Sequence, residues 1–162
     1  MLFRTRTLAA LLLLTMAVLP STVTARIDVT TLEYRIIQLT NVERQRFNLR
    51  PLQQNNALTR AARGHSEEML QLDYFSHESP TPGRRTMDER LVLAGCTDHH
   101  VGENIARYDG YSPDDAVRQV VQDWMNSPGH RKNILHASYN AIGIGVAYDN
   151  RSIYITQDFS TH

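Results

Sequence analysis

The sequence is poor in cysteine, in tryptophan and in net charge. Cys96 is the single cysteine among 162 residues. That excludes an internal disulfide framework and any cysteine-rich zinc module. Lysine plus arginine number 17, as do aspartate plus glutamate, so the formal net charge is zero. A chain without a basic field is not built to hold nucleic acid by its phosphates. There is also no apolar stretch of about 20 residues, the length a membrane helix needs. An integral membrane protein is therefore not expected.

The longest apolar run, Leu8 to Leu19, has 12 residues and only Thr15 interrupts it. Arg4 and Arg6 precede it, and the small-residue pattern Val23-Thr24-Ala25 follows. This is the pattern of a secretory signal peptide, residues 1–25, cleaved before Arg26. An uncleaved anchor is the alternative. Cleavage would leave 137 residues with 15 basic and 17 acidic side chains, a slightly acidic chain delivered to a periplasm or beyond the cell. A hydrophobic content of 41% is enough for a core, and the length suits one domain over 29–162. In an oxidising compartment, unpaired Cys96 is expected to be buried as a small hydrophobe, or else paired between chains.

Periodicity places the elements. Thr30 to Glu33 reads as a capping box opening a helix with Leu32, Ile36, Leu39 and Val42 on one face. Pro51 ends its reach, near Asn48. Asn56 is read as the cap of a second helix with the stripe Leu58, Ala61, Ala62, His65, Met69 and Leu72. A loop follows over 76–85, then a capping box at Thr86 to Glu89 and a short helix that Gly95 terminates. Residues 102–108 read as a short strand. Ser112-Pro113-Asp114-Asp115 starts a helix with Val117, Val120, Val121 and Trp124 inward, and Ser127-Pro128-Gly129 stops it. Ile142, Ile144, Val146 and Tyr148 alternate with Gly143, Gly145 and Ala147, which is a strand with something packed closely on its small face. Asp149-Asn150-Arg151 turns the chain into a second strand over 152–159. Long helices segregated from an antiparallel hairpin define an α+β domain in layers.

Three polar residues at element ends stand out as candidates for chemistry: His77, Glu103 and His130. Imidazole and carboxylate together suit a divalent cation such as zinc, or a water-activating base. They lie far apart in sequence, so spacing alone leaves each readable as a surface or capping residue. His65, on an apolar stripe, reads as a packed core histidine bonded to backbone. His99-His100 reads as an exposed pair without a role. There is no zinc helix, nucleophile elbow or phosphate loop, and Gly143-Ile144-Gly145 lacks the rest of a dinucleotide fingerprint.

Several segments resemble the CAP superfamily, which groups cysteine-rich secretory proteins, antigen 5 and pathogenesis-related 1 proteins. They are Asn41-Val42-Glu43-Arg44, Leu58 to Phe75 with Phe75-Ser76-His77, Gly102-Glu103-Asn104-Ile105-Ala106, Trp124 to Leu135, Ile142 to Val146, and Thr156-Gln157-Asp158-Phe159. The likeness is to small bacterial SCP-like domains, in the family's order and over nearly the whole mature chain. It implies an α-β-α sandwich, a small antiparallel sheet between helical layers, with a cleft of two His and two Glu that binds zinc or another divalent cation in some members. His77, Glu103 and His130 match three of the four. Where the second Glu would stand, this chain has Asn126 or Ser127, and Gln157 and Asp158 match positions beside the cleft, with Gln157 expected to hydrogen-bond near His130. Arg131 and Lys132 are expected to anchor their loop.

Three readings follow from the resemblance. The first is a secreted, non-enzymatic binding module whose His/Glu cleft takes a divalent cation, with a lipid or small apolar ligand as a further option. The second is a metal-assisted, protease-like hydrolase with Glu103 as the candidate catalytic base beside the two cleft His. The third is an envelope protein without a ligand, in which a His–Glu–His hydrogen-bond network ties loops to the sheet.

Overall fold

The computed structural model describes residues 28–98 and 100–161. The signal-peptide reading, residues 1–25, and His99 lie outside the described residues. In chain order the elements are α1 (Val29–Arg46), β1 (Gln53–Gln54), α2 (Asn56–Leu72), α3 (Met87–Leu93), β2 (Val101–Asp109), α4 (Pro113–Asn126), α5 (Pro128–Ile134), β3 (Ala141–Tyr148) and β4 (Ser152–Ser160). The strands lie in the order β1-β3-β4-β2. β3 and β4 form the expected hairpin and β2 pairs antiparallel with β4, while the two-residue β1 adds a parallel edge. The sheet is therefore mixed rather than wholly antiparallel. Helices α2 and α3 cover one face and α1, α4 and α5 the other.

Local signals set most helix ends. Thr86 accepts from the Glu89 N–H at 3.3 Å, while the Glu89 carboxylate reaches back to the Arg85 N–H at 2.6 Å. The end of α3 is a Schellman motif: Gly95 takes φ +78°, the Cys96 N–H bonds the Leu91 carbonyl and the Gly95 N–H bonds Val92. Ser112 caps α4 with Pro113 in its first turn. The cap of α2 is Asn55, one residue before the expected one, and its side chain accepts from Ala57 and Leu58.

Two expectations need correction. The Thr30–Glu33 capping box is not made. Helix α1 starts after Asp28, and Glu33 is buried against the sheet, gripped by Arg63. The buried face of α1 is Leu32, Glu33, Ile36, Ile37, Thr40 and Arg44, whereas Leu39 and Val42 are exposed. Polar side chains with partners inside the fold displaced the apolar stripe. Ser127-Pro128-Gly129 stops α4 but also opens α5, because Pro is accommodated in a first helical turn.

The core lies mainly between the sheet and α1/α4, around Leu32, Ile36, Val117, Val120, Trp124, Ile142, Ile144 and Phe159. Arg44 closes it at one end. Its guanidinium, 1% exposed, donates to the carbonyls of Arg50, Ile134, His136 and Tyr139 at 2.8–3.1 Å. Burial pushes its pKa down, and three of the four carbonyls, those of Ile134, His136 and Tyr139, pin the segment leading from α5 into β3 to the end of α1. Arg131 lies over the Phe47 ring at 4.8 Å, the anchoring role expected of it. Cys96 is buried as expected, and burial pushes its thiol pKa up, away from reactivity.

On the other face, Gly143 and Gly145 let α2 lie directly on β3. A Cβ on Gly145 would stand 2.2 Å from the backbone of Ala62 and Arg63, and one on Gly143 2.2 Å from the backbone of Leu58. Gly145→Ala is expected to destabilise the protein by about 3 kcal/mol or more, because backbone rather than a flexible side chain fills the space. Urea denaturation checks this. Gly64→Ala on α2 is the control: a Cβ there meets nothing within 4 Å, and the change should add up to about 1 kcal/mol.

Candidate functional site

Edge strand β2 is where the two helical layers meet around polar side chains. Alternation along β2 sends Glu103 to the α2/α3 face and Asn104 to the α1/α5 face. Each faces a partner on β4, Glu103 opposite Asp158 and Asn104 opposite Gln157.

On the first face, the loop after α2 brings His77 to Glu103, Nδ1 to Oε1 2.8 Å. Helix α3 brings Arg90, whose Nη2 donates to the other carboxylate oxygen at 2.7 Å. The Arg90 and Glu103 side chains are each 5% exposed, whereas His77 is 55% exposed. A second Arg90 nitrogen donates to the His77 carbonyl at 3.1 Å, and more weakly to Arg84 and Arg85. One guanidinium thus holds both the carboxylate and the loop that delivers the imidazole.

The two carboxyl groups of this face are pushed apart in pKa. Burial alone would raise Glu103, but the hydrogen bond from His77 and the charge of Arg90 outweigh it and keep the group below its ordinary value. Asp158 is raised well above its ordinary value, first by burial and then by the charge of Glu103. Its Oδ1 has no partner among the described residues. The environment thus favours the charged form of Glu103 and the neutral form of Asp158.

On the second face a hydrogen-bonded chain runs inward. Asn133 of α5 donates to the Glu103 carbonyl at 3.1 Å and to the Asn104 side chain at 2.9 Å. Asn104 donates to the His130 carbonyl at 3.2 Å and to Gln157 at 3.0 Å, and Gln157 donates to Thr40 at 2.9 Å. This chain sets α5, and with it His130, beside the edge of β2. Burial lowers the His130 pKa, and the like charge of His77 adds to the effect.

The fold therefore brings His77 to Glu103 and His130 to the same strand edge. Gln157 is fully buried and reaches His130 only through Asn104. Asn126 is exposed at the end of α4, bonded by Gln122 at 3.4 Å. Ser127 makes its backbone bonds within the α4–α5 joint. Sequence reasoning missed Arg90, gave no role to Asn104 or Asn133, and set Asp158 beside the cleft without foreseeing its pairing with Glu103. A seven-residue helix is too short for periodicity to mark Arg90 as inward-facing, although adjacent Leu91 hints at it. Among the described residues no group of three His, Cys, Asp or Glu converges as a cation cage. Both Glu103 oxygens are engaged by His77 and Arg90, which casts the carboxylate as a support for His77 rather than a ligand.

His65 is the core histidine expected. It is fully buried, Nε2 lies 3.0 Å from the Ser76 carbonyl, and Tyr74 Oη lies 3.4 Å from Nδ1.

A sandwich of this topology is shared with SCP-type domains. The chain belongs to the CAP family, described as the cysteine-rich secretory protein family, whose model matches residues 37–159. It is 38% identical over 139 residues to the uncharacterized protein YkwD of Bacillus subtilis, covering 86% of this chain and 51% of that one. The chain thus spans about half the length of that relative. A solved extracellular SCP-domain protein from Bacillus anthracis has a TM-score of 0.71 at 35% identity, covering 82% of this chain and 41% of that one. An outer surface protein of Borrelia burgdorferi shares the fold, with a TM-score of 0.69 at 19% identity and coverage of 84% and 97%. No helix among the described residues is long and apolar enough to cross a membrane.

Two outcomes are expected. Arg90→Gln leaves Glu103 buried without its counter-charge and should cost about 3–5 kcal/mol. The double variant Arg90→Gln with Glu103→Gln should lose less than the two single losses together, as a double-mutant cycle in urea would measure. His65 has a pKa lowered chiefly by burial. The unfolded chain therefore takes up the proton first, and stability should fall as pH drops below about 6.5, levelling off below the folded pKa. Thermal melts from pH 8 to pH 5 should show that fall, and His65→Gln should reduce it.

Proposed function

We propose that this is an exported binding module, and that its site takes a divalent cation through the imidazoles of His77 and His130. The observation that carries this reading is the 2.8 Å contact between His77 Nδ1 and Glu103. An anionic carboxylate there draws the ring proton to Nδ1 and leaves the Nε2 lone pair of a half-exposed imidazole facing outward. Carboxylate-backed histidines are good ligands, because the second hydrogen bond fixes ring orientation and raises basicity. The lowered pKa of His130 keeps that ring neutral, the form that binds a cation. Two imidazoles, with water filling the remaining positions, would make an open and modest site. A bound cation would supply Lewis acidity to whatever ligand completes its coordination. Asn133 and Asn104 hold the strand edge and α5 in register for it.

Binding is favoured over hydrolysis by the state of Glu103. A carboxylate held ionised by Arg90 and His77 is a poor general base, since efficient bases have pKa values near the working pH. The extracellular description of the Bacillus anthracis relative supports export, and the run Leu8–Leu19 supplies the signal.

Zinc titration followed by thermal melting tests the proposal. Zinc should raise the melting temperature of the wild type and leave His77→Ala with His130→Ala unmoved. Glu103→Gln should still respond, at roughly 10–100-fold higher zinc concentration. An equal rise in the wild type and the double histidine variant would remove the site.

A further inference from the structure

Beside Arg90 lies a cavity of about 190 Å³ lined from α2, from α3 and the residue after it, and from Arg84 of the 76–85 loop. Its charged lining residues are Arg60, Arg84 and Arg90 against one acid, Glu68, whose carboxylate also feels the charge of Arg84. Glu68 is already engaged: it accepts from the Tyr74 hydroxyl at 2.7 Å and from the side chains of Ser79 and Thr81. Arg90 is engaged by Glu103. Arg60 spans the cavity to donate to the Ala94 carbonyl at 2.8 Å, which fixes its head without neutralising it. Neither Arg60 nor Arg84 makes an ion pair with an acidic side chain among the described residues. The cavity is therefore a concave, net-positive space whose spare charge sits on residues able to form paired N–H bonds to an oxyanion.

A second observation points to an occupant. Gly64 lines this cavity from the middle of α2, where glycine is costly relative to alanine. Gly143 and Gly145 are required by close backbone approach, but a Cβ on Gly64 would meet nothing within 4 Å. Its φ is not in the left-handed range either. Neither packing nor backbone geometry calls for glycine there, and the consequence of its missing side chain is open space over the cavity floor. The remaining walls are apolar: Ala61 below and Leu93, 64% exposed, at the rim.

We propose that this cavity binds a small organic carboxylate, its oxygens toward Arg60 and Arg84 and its apolar part against Ala61 and Leu93. The volume lies below the roughly 300–1,000 Å³ of drug-sized sites, which suits a compact acid. The site is separate from the proposed cation site, and the two proposals stand or fall independently.

Calorimetric titration of the purified protein with benzoate, and with benzamide as its neutral counterpart, tests this. Benzoate should bind the wild type at millimolar concentration or below and benzamide at least tenfold more weakly. Benzoate affinity should fall at least tenfold in Arg60→Gln with Arg84→Gln, which removes the charge. It should fall as far in Gly64→Leu, which fills the floor. Arg84 and Arg60 are both exposed, so unchanged melting temperatures are expected to confirm that the variants fold. Absence of benzoate binding to the wild type would overturn the proposal. So would equal affinity for benzamide, or undiminished benzoate binding in both folded variants.

Discussion

The close approach of α2 to β3 is the constraint on which the rest of the molecule depends. Helix backbone rests on strand backbone at Gly143 and Gly145, with no side chain between them. Ser66 secures the contact from the helix, donating to the Gly145 carbonyl at 3.0 Å and bonding the Thr156 hydroxyl, which can donate to it, at 2.8 Å. With α2 held this low, His65 is enclosed. Its bond to Ser76 then fixes the start of the loop that carries His77 to the sheet edge. A helix one side-chain layer higher would leave that loop too far from Glu103.

The opposite layer is positioned by buried polar groups rather than by close approach. Arg44 binds four carbonyls and the Thr40–Gln157–Asn104–Asn133 chain crosses from α1 to α5. Networks of this kind are costly when incomplete and restrictive when satisfied. Here they set where α5 lies, and so where His130 meets β2. In a chain whose single cysteine can form no disulfide within it, such networks take over the task of fixing loops between layers.

Edge strand β2 joins the two arrangements and divides their chemistry. One residue, Glu103, is clamped by charge on one face; its neighbour Asn104 is held by neutral amides on the other. The acid opposite Glu103 has its pKa raised by burial and by the charge of Glu103, which favours its neutral form. Arg90 in turn faces both the imidazole site and the arginine-lined cavity beside it, so a short helix of seven residues borders both proposed sites.

Much of this was legible in the chain. The capping of α3 and α4, the glycine face of β3, the β3–β4 hairpin, the core placement of His65 and the burial of Cys96 are local or periodic signals, and local chemistry is enough to write them. Motif resemblance pointed to His77, Glu103 and His130 together. What sequence could not supply was any side chain whose meaning lies in a partner far along the chain. Glu33 looked like a cap and is a buried partner of Arg63, 30 residues on. Arg90 looked like one more charge on a short helix and holds Glu103 and the His77 loop. Asp158 was set beside the cleft by resemblance alone, and only burial opposite Glu103 raises its pKa. Secondary structure and family were determined by the order of residues, because hydrogen-bonding and apolar periodicity are short-range. The roles of the charged groups were decided by tertiary structure, because a charge acquires its pKa and its partners only once the layers have closed around it.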